Sequence, residues 1–238
     1  MTTNGTSLDI LEKGATVHAT RPQDAVGRSA DYYNAPRPTR IANPGTLGLF
    51  SFASTTLMLS LYNARARDIT HTNVVLGMAI FCGGLAQLLA GMWEFPRGNT
   101  FAGTAFTSYG AFWLSFATIN LPFTGVRAAF ASQEEFANAV GIYLVTWFLV
   151  TVFLLIAALR KNIAFIALFA FLAVTFLVLA IGDLYQIVNV TRAGGGLGVV
   201  TAFIAYYIGL SELLAAEDMA IVRLPLGVFE RHVPATHV

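Results

Sequence analysis

The chain has 238 residues, 56% of them hydrophobic and only 11% charged, with a formal net charge of +1 and a mean hydropathy of +0.65. A soluble domain carries about a quarter charged residues, so this composition excludes an ordinary water-facing exterior. The near-neutral charge argues against a nucleic-acid partner, which favours a basic face.

Cys82 is the sole cysteine, so no intramolecular disulfide framework is expected. Residues 1–41 mix Thr, Asn, Gly, Pro and both signs of charge, with Asn34-Ala-Pro-Arg-Pro38 as a breaker. Such a segment cannot bury enough apolar surface to order itself, and it reads as a flexible cytosolic tail. It contains no apolar signal region, so the first span is expected to do its own targeting.

A bilayer core takes about 20 apolar residues per helix. Six stretches fit, over 47–64, 73–93, 101–120, 138–159, 163–181 and 198–214. The expected fold is therefore an all-α integral membrane protein, a six-transmembrane-helix bundle over 42–215, followed by a cytosolic tail over 216–238. Arg160-Lys161-Asn162 makes a tight turn between the fourth and fifth helices. The longest connection, 121–137, carries Pro122, Gly125, Arg127 and Glu134-Glu135. Gly194-Gly195-Gly196 reads as a flexible lead into the sixth helix. Lys and Arg placement puts Arg37, Arg40, Arg97, Arg160, Lys161, Arg223 and Arg231 inside and Arg65, Arg67, Arg127 and Arg192 outside. That bias favours both termini in the cytosol.

Intramembrane polar groups are costly and need a reason. No Lys, Arg or His falls in the middle of a span, and all four histidines lie in tails or a loop. No haem, metal or other cofactor is therefore expected in the bundle, and no buried cation to neutralise an anion. Glu94, Asp183 and Glu212 stand near helix ends. Each reads either as an interfacial carboxylate or as a protonatable group at a pore mouth, with Glu94 and Glu212 the candidate proton sites. Gln87, seven residues before Glu94, shares its face and must find partners inside the bundle.

In the first helix Phe52, Thr56 and Ser60 form a stripe flanked by Ser51 and Thr55. In the third, Gly103, Thr107, Ala111 and Ser115 form a ridge beside Thr104 and Ser108. Small residues at this spacing allow close packing in lipid; hydroxyls there can also line a wet path. Tyr109 and Trp113 put two rings on one face, either narrowing a pore or meeting lipid. Asn43-Pro44 is a helix start whose amides suit a carboxylate. Thr104-Ala-Phe-Thr-Ser-Tyr109 is echoed by Thr201-Ala-Phe-Ile-Ala-Tyr206, a hint of two inverted halves.

Two stretches match a known pattern. Asn43-Pro-Gly-Thr-Leu-Gly-Leu49 resembles the Asn-Pro-Ala-Pro-Leu-Gly-Leu signature of the acetate uptake transporter family, which includes the bacterial succinate–acetate permease and fungal acetate transporters. Gly98-Asn-Thr-Phe-Ala-Gly-Thr-Ala-Phe-Thr-Ser-Tyr-Gly-Ala-Phe-Trp-Leu-Ser115 resembles the family's third-helix block. Gly83-Gly84, Gln87, Gly91, Glu94 and Leu179-Ala-Ile-Gly182 also fit. Gly45 and Thr46 depart from the first signature, and Asp183 stands where some relatives carry an uncharged residue.

The resemblance, covering roughly 42–225, implies a homohexamer of six-helix protomers in the plasma membrane. It implies a conduction path in each protomer and a constriction formed by Phe52, Tyr109 and Leu172. Asn43, Thr55, Thr56, Gln87, Thr104, Thr107, Ser108 and Trp113 are the other expected path residues. The implied activity is transport of acetate and related monocarboxylates, with succinate a further candidate, by an anion channel or by proton symport. The alternatives are a membrane sensor of acetate or ammonium and an ammonium exporter; an enzyme is not expected.

Overall fold

The computed structural model describes residues 41–217 and 222–229. The expectations placed on 1–40, 218–221 and 230–238 lie outside the described residues. Six long helices follow in chain order: α1 (Gly45–Asn63), α2 (Val75–Glu94), α3 (Thr100–Asn120), α4 (Gln133–Ala158), α5 (Ile163–Leu184) and α6 (Val188–Ala216). The described residues contain no β-strand, only one antiparallel bridge between Asn162 and Val228.

Five of these helices are long and apolar enough to cross a membrane. The exception is α3, whose 21 residues span about 31 Å at 1.5 Å per residue. Its Thr, Ser and Gly content lowers its hydropathy because much of it faces protein. Gly110 shows why: a Cβ there would lie 2.8 Å from the Leu88 Cα and backbone nitrogen. At Gly91 a Cβ would collide with the Thr107 amide and hydroxyl. The small-residue ridge is thus the seam between α2 and α3. Gly110→Val should cost well over about 1–3 kcal/mol of overpacking and yield little monodisperse protein in detergent chromatography. Gly77→Ala, where a Cβ meets nothing within 4 Å, should behave as wild type.

The helices form a ring in the order α3, α2, α1, α6, α5, α4. Backbones approach closely at every neighbour except α3 and α4, where aromatic side chains fill the gap. Tyr206, in the second half of the sequence echo, donates to the Ser54 hydroxyl of α1 at 2.8 Å. Tyr109, its counterpart, bonds the Thr151 hydroxyl of α4 at 2.9 Å. Each repeat tyrosine therefore ties the third helix of its half to the first helix of the other.

Two helix starts differ from expectation, and one helix has an irregular interior. Helix α4 begins at Gln133 because Ser132 accepts the Glu135 amide and places Glu134 and Glu135 in the first turn, a favourable position for acids. Helix α6 begins at Val188 and runs straight through Gly194–Gly196 instead of starting after it. The reason is a close crossing: a Cβ on Gly195 would lie 2.5 Å from the Ala64 amide nitrogen and 2.7 Å from the Ser60 carbonyl. Helix α2 contains a π-helical stretch, Phe81–Ala86, as helices often do near functional sites.

Residues 222–229 are not a free tail but an extended strap on the bundle. Gly227 and Leu226 carbonyls accept the Ile163 and Ala164 amides at 3.0 and 3.1 Å. Asn162 caps the same turn through the Phe165 amide. Ser211 and Tyr207 hold the strap at Leu224 and Pro225, each at 2.7 Å.

Candidate functional site

Three cavities lie in series through the ring. At the end where α1 finishes and α4 begins is a vestibule of about 260 Å³. Its wall includes Thr56, Asn63, Trp113, Gln133 and Asp183, and its floor includes Phe52 and Leu172. Among the described residues Asp183 is the one ionisable side chain on that wall. The same Phe52 and Leu172 also border a far smaller cavity of about 20 Å³, together with Tyr109, Gln87, Phe106 and Phe169. That is room for about one water. Phe101, Ala102, Phe106 and Phe165 are shared in turn with a third cavity of about 200 Å³ at the opposite end. There Glu94, Glu212, Asn99 and Lys161 stand on the wall.

The neck between the large cavities is built from rings. Phe52 and Tyr109 have centroids 5.5 Å apart. Tyr109 is 3% exposed, Leu172 3% and Phe52 5%. The Tyr109 ring also lies 6.1 Å from Trp147 and stacks 6.4 Å from Phe169. Its hydroxyl points to α4, so the neck presents an aromatic face. Gln87 is fully buried beside the neck, and neither amide atom finds a hydrogen-bond partner among the described residues. The same holds for the Thr56 hydroxyl and the Trp113 indole N–H.

The third cavity opens beside a charged network. Arg97 donates to both carboxylate oxygens of Glu94 at 3.1 Å and to the Asn43 side-chain oxygen at 2.7 Å. Asn43 donates to Glu212 at 3.2 Å and accepts the Gly45 amide at 3.0 Å. Glu94 is 1% exposed and the Arg97 side chain 27%. Lys161 sits 5.0 Å over the Phe101 ring at the same mouth. Among the described residues the two cations of this cavity, Arg97 and Lys161, stand at its mouth and not in the middle of the bundle. Arg97 follows helix α2 and pairs locally with Glu94 three residues back; the fold adds Asn43, from the distant start of α1, to the same guanidinium.

Thr56, Gln87 and Trp113 therefore line cavities, and Asn43 holds the mouth. Thr55, Thr104, Thr107 and Ser108 border none of these three cavities. Thr55 is buried between α1 and α2, bonding the Ser51 carbonyl. Thr104 is exposed on the bundle surface, and Thr107 is wedged against Gly91. The cavity face of α3 is aromatic instead, through Tyr109, Phe112, Trp113 and Phe116. Phe112 and Phe116 were missed although they continue the i, i+3, i+4 pattern of Tyr109 and Trp113.

Membrane-length helices around aligned cavities, wide at both ends and closed by side chains in the middle, define a transmembrane conduit protein. The model of the GPR1/FUN34/yaaH family matches residues 27–228, and the chain belongs to that family. It is 46% identical over 207 residues to ammonia transport outward protein 2 of Saccharomyces cerevisiae, covering 86% of this chain and 73% of the relative. It is 42% identical over 208 residues to acetate permease A of Emericella nidulans, covering 83% and 70%. Among solved structures, the bacterial acetate channel SatP superposes with a TM-score of 0.71 at 36% identity, over 79% of this chain and all of that one.

Proposed function

We propose that the chain carries acetate and related short-chain monocarboxylates across a membrane through the line of cavities, with Phe52, Tyr109 and Leu172 as the constriction. The observation that carries this reading is the 20 Å³ apolar neck between two much larger cavities. A monocarboxylate that offers a methyl group to aromatic walls has the hydration of one carboxylate to shed there. A dianion such as succinate sheds more, so it should pass more slowly. Without a fixed cation at the neck the anion binds weakly, which suits passage because it must also leave. The relatives named for acetate support the same substrate class.

In this reading the mouth with Glu94 and Glu212 faces the cytosol, as do the tails 1–41 and 216–238, and the protomers assemble as hexamers in the plasma membrane. Glu94 is engaged by Arg97, whereas the hydrogen bond of Glu212 among the described residues is to the Asn43 amide. Glu212 is therefore the freer carboxylate to exchange protons with the inner cavity. Glu212→Gln should remove most of the acid-side rise in acetate uptake measured across pH 5 to 8, with no cargo-size change.

The test is flux of labelled acetate into liposomes holding the purified protein. Saturable acetate flux supports the reading, and its absence sinks it. The relative named for outward ammonia transport favours a second reading, ammonium export; ammonium efflux without acetate flux in the same vesicles would select it.

A further inference from the structure

We propose that Thr151 of α4 is the positioning residue that holds the neck at its width, by anchoring the Tyr109 phenol on the α4 side of the conduit. This rests on the reading of the neck as the selective step. Thr151 is fully buried, and its hydroxyl lies 2.9 Å from the Tyr109 hydroxyl. A threonine has one hydroxyl proton, and Thr151 donates it to the Trp147 carbonyl one turn back, at 2.7 Å. The phenol must then be the donor to Thr151. With its proton directed into α4, Tyr109 turns only its ring toward Phe52.

The anchor matters because α3 and α4 are the two neighbouring helices whose backbones do not pack closely. No close α3–α4 backbone packing fixes how far the Tyr109 side chain leans toward α4. Its position is set by this one hydrogen bond and by the Trp147 and Phe169 rings behind it. Removing the acceptor strands a buried O–H donor, a state proteins avoid. The ring is then drawn to other rotamers, and the neck loses its single width. The echo tyrosine, Tyr206, makes the equivalent bond to Ser54 but borders none of the three cavities in series. It supplies an internal control for the loss of a tyrosine bond between the two halves.

The experiment compares lactate with acetate flux in liposomes for wild type, Thr151→Val, Thr151→Ser and Ser54→Ala. It is paired with ¹⁹F NMR of 3-fluorotyrosine placed at position 109. Thr151→Val, which keeps the shape and removes the acceptor, should raise the lactate-to-acetate ratio by on the order of tenfold, the scale of one lost hydrogen bond. It should also broaden or split the single ¹⁹F line. Thr151→Ser should restore both, and Ser54→Ala should leave both unchanged. A wild-type ratio and a single line in Thr151→Val would overturn the proposal, as would an equal effect from Ser54→Ala. If Thr151→Val fails to fold, Thr151→Cys, whose thiol is a weak acceptor, is read in the same way. If wild type carries no carboxylate, the transport reading falls, and the ¹⁹F line by itself decides whether Thr151 holds the ring.

Discussion

Tyr109→Ala is expected to let lactate and other solutes larger than acetate through at a rate raised by on the order of tenfold or more, since each 1.4 kcal/mol taken from a barrier is a factor of ten. The phenol ring, 5.5 Å from Phe52, closes one side of a cavity of about 20 Å³, so its removal joins the vestibule to the inner cavity. The same substitution deletes a side chain that is 3% exposed, and large-to-small changes of this kind cost about 3–5 kcal/mol. The variant should therefore melt earlier but still elute as a folded species. A size-limit series from acetate to butyrate in liposomes reads the effect. Unchanged selectivity in a folded variant would remove Tyr109 from the path.

Arg97→Ala should cost about 3 kcal/mol, the low end for breaking a buried pair, because the arginine itself keeps water contact. The loss arises on the other side of the bond, where the Glu94 carboxylate, 1% exposed, is left without its cation and with Glu212 across the Gly45 surface. A Cβ on Gly45 would lie 2.7 Å from the Glu212 carboxylate and 3.1 Å from that of Glu94, so the two acids converge there. The double variant Arg97→Ala with Glu94→Gln removes the stranded charge and should recover most of the stability. Thermal unfolding in detergent measures all three proteins. Equal losses in the single and double variants would show that the guanidinium acts through Asn43 and not through Glu94.

Much of the bundle was legible because hydrophobic length is a local property. The third and fifth helices begin within a residue of expectation, at Thr100 and Ile163. The misses came where a polar or glycine-rich stretch was read by composition. Gly194-Gly195-Gly196 looks like a hinge in isolation. In the fold it is a flat surface that admits the α1 backbone, and helical hydrogen bonds continue through it because α5 and α1 pack on both sides. Ser132 with Glu135 did carry a readable helix-start signal, and the Glu134-Glu135 pair made the stretch look like part of the connection.

The candidate site divides along the same line. Phe52, Tyr109 and Leu172 were named by resemblance and meet at one neck. Thr104, Thr107 and Ser108 were named from their hydroxyls and fall away from it. A helix offers every residue a face, and which face turns inward depends on where its neighbours place their glycines. Gly91 takes Thr107 into the α2–α3 seam, and that contact rotates the aromatic side of α3 onto the cavities.

The sequence by itself determined the membrane setting, the six helices and the absence of a cation from their middles, since each follows from residue type summed over a window. The tertiary structure alone decided which face of α3 lines the conduit, that Asn43 joins Arg97 to Glu212, and that Thr151 holds Tyr109. Those three depend on distances between residues far apart in the chain, and such distances exist only after the helices have packed.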